Sequence, residues 1–281
     1  MDPIHAIVIA IVQGATELFP VSSLGHAVVL PALLGWKLDE HGSAFLPFLV
    51  MLHVGTGLAL LGFFWRDWWM ILKGLVGVGS AHEVSEARRV FLLIVIATIP
   101  AVVIGGLLEH LLRRIFETAL IAAIFLILNG LLLIVGERMK KAQHDDARQL
   151  STLRPKDAFV IGCWQCLALI PGLSRSGATI LGGVLRGLDH EASAHFSFLI
   201  ALPIIAAAAV LELPKLLHDP SAPGAMGLSV IAAVVAGVTA LASTAFLMRW
   251  FRGHDKWALT PFAIYCVVAG VFSVGFLLIA G

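Results

Sequence analysis

The sequence predicts an all-α polytopic membrane protein: about six transmembrane helices plus two re-entrant helical hairpins, arranged as an inverted-topology repeat. Three observations carry this expectation. Hydrophobic residues make up 59% of the 281-residue chain and charged residues 13%, with a mean hydropathy of +0.95. A soluble domain averages about 45–50% apolar and about 25% charged. Six segments have the roughly 20 apolar residues needed to cross a bilayer, and fourteen of the nineteen Lys and Arg residues fall on one side of them.

The elements follow in chain order. Residues 3–35 are apolar but interrupted by Gln13, Glu17, Pro20, Ser22, Ser23 and His26. Two short half-helices around a polar, Pro-containing break fit this text, because non-helical backbone at membrane depth survives only inside protein or around a wet cavity. The first span is 45–65, followed by a loop carrying Arg66, Lys73, Arg88 and Arg89. Spans 89–109 and 117–137 come next, then the polar segment 138–156 with six basic residues. Residues 157–186 are broken in the same way as the first region, by Gln165, Pro171, Ser174, Arg175, Ser176 and Thr179. Spans 195–213, 225–248 and 259–280 complete the chain.

Positive charge retained on one side marks that side as cytoplasmic, which puts both termini outside. Each half reads as one hairpin and three spans. Three is odd, so the second half enters upside down and the two hairpins approach from opposite faces. Pro20-Val21-Ser22-Ser23 also resembles Pro171-Gly172-Leu173-Ser174, with a serine three residues after the proline in each. The expected organisation is one integral membrane domain over 1–281: a first half 1–137, a cytoplasmic linker 138–156 and a second half 157–281.

Several function classes are excluded. The net charge is +1, and no basic stretch is dense enough for nucleic acid. Cys163 and Cys166 form a C-x-x-C pair with no second pair to complete a zinc site, so they read as small packing residues. The start Met-Asp-Pro lacks a basic region and a small-residue cleavage site and does not read as a cleavable signal peptide.

The two breaks hold the chemistry. Gln13 and Glu17 share a helix face through their spacing of four, and a carboxylate at membrane depth is a functional hypothesis by default. Ser22, Ser23 and His26 follow it. In the second break Ser174, Arg175, Ser176 and Thr179 stand at a half-helix start with Gly172 and Gly177. Backbone N–H groups and the helix dipole favour an anion there, and Arg adds a planar fork for phosphate. Arg at a helix centre costs roughly 2.5–3.5 kcal/mol on insertion scales, so a bound anion or Glu17 must offset it. A hydroxyl, a base and an Arg together suit phosphoryl transfer. His53, inside a span, reads as a satisfied core histidine, and Asn129 as an interhelical hydrogen-bonding residue.

The runs Gly14-Ala15-Thr16-Glu17-Leu18-Phe19-Pro20-Val21-Ser22-Ser23-Leu24-Gly25-His26 and Pro171-Gly172-Leu173-Ser174-Arg175-Ser176-Gly177-Ala178-Thr179 resemble the BacA/UppP family. These are undecaprenyl-diphosphate phosphatases linked to bacitracin resistance. Phe64-Trp65-Arg66, Gln165-Cys166-Leu167-Ala168-Leu169 and Pro261-Phe262-Ala263-Ile264-Tyr265 extend the resemblance over nearly the whole chain. It implies hydrolysis of undecaprenyl diphosphate to undecaprenyl phosphate and inorganic phosphate, which recycles the lipid carrier for peptidoglycan and other cell-wall polymers. It further implies dependence on a divalent cation (Mg²⁺ or Ca²⁺) and a site facing the exterior of the bacterial cytoplasmic membrane.

On that resemblance the catalytic set is Ser23, His26, Glu17 and Arg175. Ser23 is the nucleophile or the hydroxyl that binds the terminal phosphate, and His26 is the general base or acid. Ser22, Ser174, Arg175, Ser176 and Thr179 bind substrate, while Glu17 and Gln13 hold the cation. Gln13 stands where many members carry Glu, Leu24 replaces a common Thr, and Leu49 and His53 stand where relatives often have Glu and Gln. The expected partners are the lipid diphosphate and the bilayer. A homodimer is compatible with the pattern. A rival reading is a transporter or flippase for a polyprenyl phosphate, because inverted repeats with broken helices typify secondary transporters. Glu17 and His26 would then couple protons.

Overall fold

The protein was described from a computed structural model covering residues 2–36, 45–115, 118–141, 149–217, 225–254 and 256–280. Helices dominate these residues. The first hairpin is α1 (Pro3–Thr16) and α2 (Ser23–Leu33). Asp2 caps α1 by accepting from the Ile4 N–H at 2.8 Å, and Pro3 occupies the first turn, where no N–H is missed. With 14 and 11 residues the two half-helices are roughly 21 and 16 Å long. Neither can cross a hydrocarbon core of about 30 Å alone.

The spans follow as α3 (Phe45–Phe63), α5 (Ala81–Ile115), α6 (Ala119–Lys141), α9 (His190–Leu217), α10 (Ala225–Gly253) and α11 (Thr260–Ala280). One element departs from the sequence expectation. The residues read as a loop after the first span begin with α4 (Trp65–Leu75), which bends away from α3 by 77°. Its apolar and cationic residues segregate: Ile71 is buried against the core, while Arg66 and Lys73 lie over the Trp65 and Trp69 rings. A helix of this composition, lying across the end of a span, suits the interfacial plane.

The second hairpin is α7 (Pro155–Gln165), a short 3₁₀ turn at Cys166–Leu169 and α8 (Arg175–Leu185). The two ends of this hairpin are tied by Arg186, which donates to the buried Asp157 at 2.8 and 2.5 Å.

Packing runs between the halves as much as within them. α1 lies on α10, and α7 lies on α5; α2 touches α11, and α8 touches α6. α3 pairs with α9, and α6 with α11. Exchanging the halves (α1 with α7, α2 with α8, α3 with α9, α5 with α10, α6 with α11) turns the first four of these contacts into one another in pairs and leaves the last two unchanged. Two halves related by a pseudo-two-fold axis in the membrane would give this pattern.

Burial is inverted relative to a soluble protein. Large apolar residues face outward, with Leu107 79% and Ile279 89% exposed. Gln13, Glu17, Ser174, Ser176, Thr179 and Asn129 are all buried. A soluble monomer would not tolerate that outer surface; a bilayer requires it.

Candidate active site

Both breaks end at helix N-termini capped in the same way. Ser22 Oγ accepts from the Gly25 N–H at 3.2 Å, and Ser174 Oγ accepts from the Gly177 N–H at 3.1 Å. These caps correct the repeat register suggested by the prolines: Ser22 corresponds to Ser174, and therefore Ser23 to Arg175 and Gln13 to Gln165. Ser22 reaches its position with φ of 66°, a left-handed conformation that costs a non-glycine residue roughly 1–2 kcal/mol.

The breaks touch. Ser176 Oγ donates to the Phe19 carbonyl at 2.8 Å, and Ser174 Oγ lies 3.0 Å from Ser176 Oγ. A Cβ on Gly25 would sit 3.1 Å from Gly172 Cα. Gly172 itself has φ of +93°, and a Cβ there would meet the Ala122 carbonyl at 2.3 Å, so backbone passes against backbone. Asn129 of α6 joins the two. Its Nδ2 donates to the Pro20 carbonyl at 2.9 Å, and its Oδ1 accepts from the Ser174 N–H at 3.0 Å.

Glu17 is the centre of the arrangement. Oε1 accepts from Arg175 Nη2 at 3.2 Å. Oε2 accepts from Ser23 Oγ at 2.5 Å and from Gln13 Nε2 at 3.0 Å. His53 Nε2 lies 3.4 Å from the same oxygen, with Nδ1 donating to the Leu49 carbonyl at 2.8 Å. Arg175 spends a second N–H on the Ser197 carbonyl at 3.1 Å. The carboxylate and guanidinium are 6% and 12% exposed, so each offsets the other's cost of leaving water.

A cavity of about 220 Å³ opens beside this cluster. Glu17, Ser22, Ser23, His53, Gln165, Ser174 and Arg175 supply its polar wall, and Val50, Ala101 and Ile204 belong to its apolar one. The volume suits a phosphate headgroup, not a polyprenyl chain.

Of the residues predicted from sequence, the structure brings Glu17, Ser22, Ser23, Ser174 and Arg175 to one cavity. Gln13 stands behind Glu17. Ser176 and Thr179 support the cradle from within: Thr179 Oγ1 bonds Ser197 Oγ at 2.6 Å and donates to the Arg175 carbonyl at 2.8 Å. His26 turns elsewhere. Its Nδ1 donates to the Ser22 carbonyl at 2.6 Å, and its Nε2 meets the Tyr265 hydroxyl at 2.7 Å, with the two rings stacked. His53, read as a core histidine, is the imidazole that faces the carboxylate. In the sequence Gln165 interrupts the apolar text and opens the run to Leu169, with no role at the site attached to it.

The fit of a divalent cation can be tested on the donors. Among the described residues no group of three or more His, Cys, Asp or Glu converges. Gln13 Oε1, however, is buried without a hydrogen-bond partner, while the Nε2 of the same amide donates to the Glu17 carboxylate. With the Gln13 amide turned over, its bare oxygen and the Glu17 carboxylate would fit an ion of the Mg²⁺ type, which draws its remaining ligands from substrate phosphates and water on the cavity side of Glu17.

Comparison with known proteins follows the same line. The family model of bacitracin resistance protein BacA matches residues 6–272. The undecaprenyl-diphosphatase of Granulibacter bethesdensis is 63% identical, over 99% of this chain and 97% of its own. Those of Gluconacetobacter diazotrophicus and Gluconobacter oxydans are 59% and 58% identical, each over 97% of this chain and over 96% and 98% of their own. With both breaks, their caps and nearly the full length accounted for, the chain belongs to the bacitracin resistance protein BacA family.

Proposed function

We propose that this chain hydrolyses undecaprenyl diphosphate to undecaprenyl phosphate and inorganic phosphate, recycling the lipid carrier and conferring bacitracin resistance. The observation that carries the reading is the Ser23–Glu17–Arg175 cluster, which presents a hydroxyl, a carboxylate and a fixed cation to one headgroup-sized cavity.

Arg175 leaves Glu17 in part and clamps the terminal phosphate, where its fork matches the oxygens and holds charge that spreads in the transition state. The cap N–H groups behind Ser22 and Ser174 add the positive ends of two helices. Either Ser23 Oγ attacks the terminal phosphorus, forming a phosphoserine as the bond to the departing undecaprenyl phosphate breaks and giving its proton to Glu17 Oε2, 2.5 Å away, or it binds the terminal phosphate as a hydroxyl. His26 acts on this step through Ser22, whose carbonyl it holds. Ser176 and Thr179 keep the second break in the shape that presents Arg175. Glu17 and Gln13 would hold the divalent cation, Mg²⁺ or Ca²⁺, which when bound neutralises phosphate charge.

The enzyme sits in the cytoplasmic membrane with its site toward the exterior. With the basic residues inside, Val50 and His53 lie roughly 8–12 Å from the outer end of α3, taking 1.5 Å per residue. Ala101 on α5 and Ile204 on α9 fall in the outer half of their spans by the same measure. The apolar wall receives the first isoprene units, and the bilayer takes the rest of the chain.

The test is phosphate release from undecaprenyl diphosphate by the purified protein in detergent, with Mg²⁺, with Ca²⁺ and with EDTA, beside Ser23→Ala. Cation-dependent release that disappears in the variant is the expected result. A folded wild type that releases no phosphate under any cation overturns the reading in favour of headgroup transport.

A further inference from the structure

A hydrolase must hold a water in line with phosphorus, whether that water attacks the diphosphate directly or attacks a phosphoserine. The cavity walls are largely apolar, and a water there is best oriented by an acceptor that has no partner of its own. Glu17 already has four groups around it, and Ser23 donates to Glu17. Gln165, the last residue of α7, is different. It lines the cavity and is 2% exposed; its Nε2 donates to the Ala97 carbonyl at 3.4 Å, and its Oε1 has no partner.

A bare carbonyl oxygen repels phosphate oxygens, which near neutrality carry at most a minor share of protons. It calls for a donor. Its counterpart in the other hairpin strengthens the case: Gln13 stands nine residues before the cap Ser22, as Gln165 stands nine before the cap Ser174, and Gln13 Oε1 is bare as well. The fold has placed one unpaired amide oxygen in each broken helix. Gln13 lies behind Glu17 and off the cavity wall; Gln165 lies on it.

We propose that Gln165 is the positioning residue for the hydrolytic water, accepting one of its hydrogens at Oε1 and so directing its lone pair at phosphorus. This rests on the phosphatase reading above. In the step, a bond forms between the water oxygen and phosphorus as the P–O bond to the leaving group breaks. One water proton passes to the leaving oxygen, and the other stays on the released phosphate. Gln165 exchanges no proton; its task is that of a water-orienting glutamine in phosphoryl transfer.

Three variants separate this role from the tie to Ala97. Gln165→Glu keeps an acceptor and loses the donor; Gln165→Lys keeps a donor and loses the acceptor; Gln165→Leu loses both. Steady-state phosphate release and thermal midpoints would be measured for each. The expected result is kcat within roughly tenfold of wild type for Gln165→Glu and about a hundredfold lower for Gln165→Lys and Gln165→Leu, with KM for Gln165→Lys and Gln165→Leu unchanged. Simple charge attraction predicts the reverse order, because Lys draws the diphosphate and Glu repels it. If Gln165→Lys turns over normally while Gln165→Glu fails, or if the variants alter only the cation requirement, the water role is overturned while the phosphatase reading stands. A wild type without phosphate release sinks both.

Discussion

Arg175 Nη2 and Glu17 Oε1 meet at 3.2 Å across 158 residues of sequence, joining the breaks of the two hairpins. The pair is both the lock between the halves and the charge pair of the site. Arg175→Ala should nearly abolish phosphate release while the protein still folds, with a lowered thermal midpoint, since a buried carboxylate is left behind at a cost of up to about 3–5 kcal/mol. Glu17→Gln in the same chain should restore part of the midpoint and none of the activity. Thermal unfolding in detergent, run beside phosphate release, checks both halves of this statement. Retained turnover in Arg175→Ala would remove the clamp from the mechanism.

Adjacent serines should behave differently. Ser23→Ala removes the hydroxyl that faces Glu17 and should eliminate turnover with little change in midpoint. Ser22→Ala loses a cap worth about 1 kcal/mol and stays at a left-handed φ. Ser22→Gly loses the same cap but relieves the backbone, so it should melt above Ser22→Ala. The order of the two midpoints reads out the strain at Ser22.

Asn129 bonds the Pro20 carbonyl, the Ser174 N–H and the Cys266 sulfur, and no apolar residue can replace these contacts. Asn129→Leu leaves the Ser174 N–H unsatisfied, at about 1–3 kcal/mol, and the Pro20 carbonyl with only the weak Cys266 thiol donor at 3.8 Å. The expected outcome is a lower midpoint together with a raised KM, because the two breaks lose their common tether. A variant that melts lower with KM unchanged would limit Asn129 to a packing role.

Cation dependence should pass through Gln13. Gln13→Glu adds a second carboxylate beside Glu17 and should lower the concentration of Mg²⁺ or Ca²⁺ needed for half-maximal phosphate release; Gln13→Leu should raise it. EDTA should silence the wild type, and activity should return on adding back the ion. Identical cation titrations for all three proteins would take Gln13 out of the ion's coordination.

The sequence carried the spans because bilayer thickness imposes a length on each of them, and it carried the breaks because Pro20 and Pro171 interrupt apolar text. It also held a signal for α4 that hydropathy hid. Trp65, Trp68, Trp69, Ile71, Leu72 and Leu75 alternate with Arg66, Asp67 and Lys73 at helical spacing, yet counting charges alone makes the segment a loop. Proline spacing sets the repeat register one residue away from the cap serines, because proline marks where a helix stops and the cap serine marks where the next one starts. Facing was beyond reach. Nothing in the linear order says that His26 turns to Tyr265 while His53, on a different helix, turns to Glu17. Tertiary packing alone decides which imidazole sees the carboxylate.

The packing of α1 on α10 has a consequence for biogenesis. A Cβ on Gly14 would sit 2.2 Å from the Ala236 carbonyl, so the two backbones are in direct contact. On the ribosome, however, more than two hundred residues separate the synthesis of these two segments. The first hairpin must enter the membrane with its Gly14 face open and with Glu17 lacking its Arg. It stays a provisional insertion until the second half arrives: Glu17 gains its guanidinium only once Arg175 is made, and the Gly14 face is covered only once α10 follows.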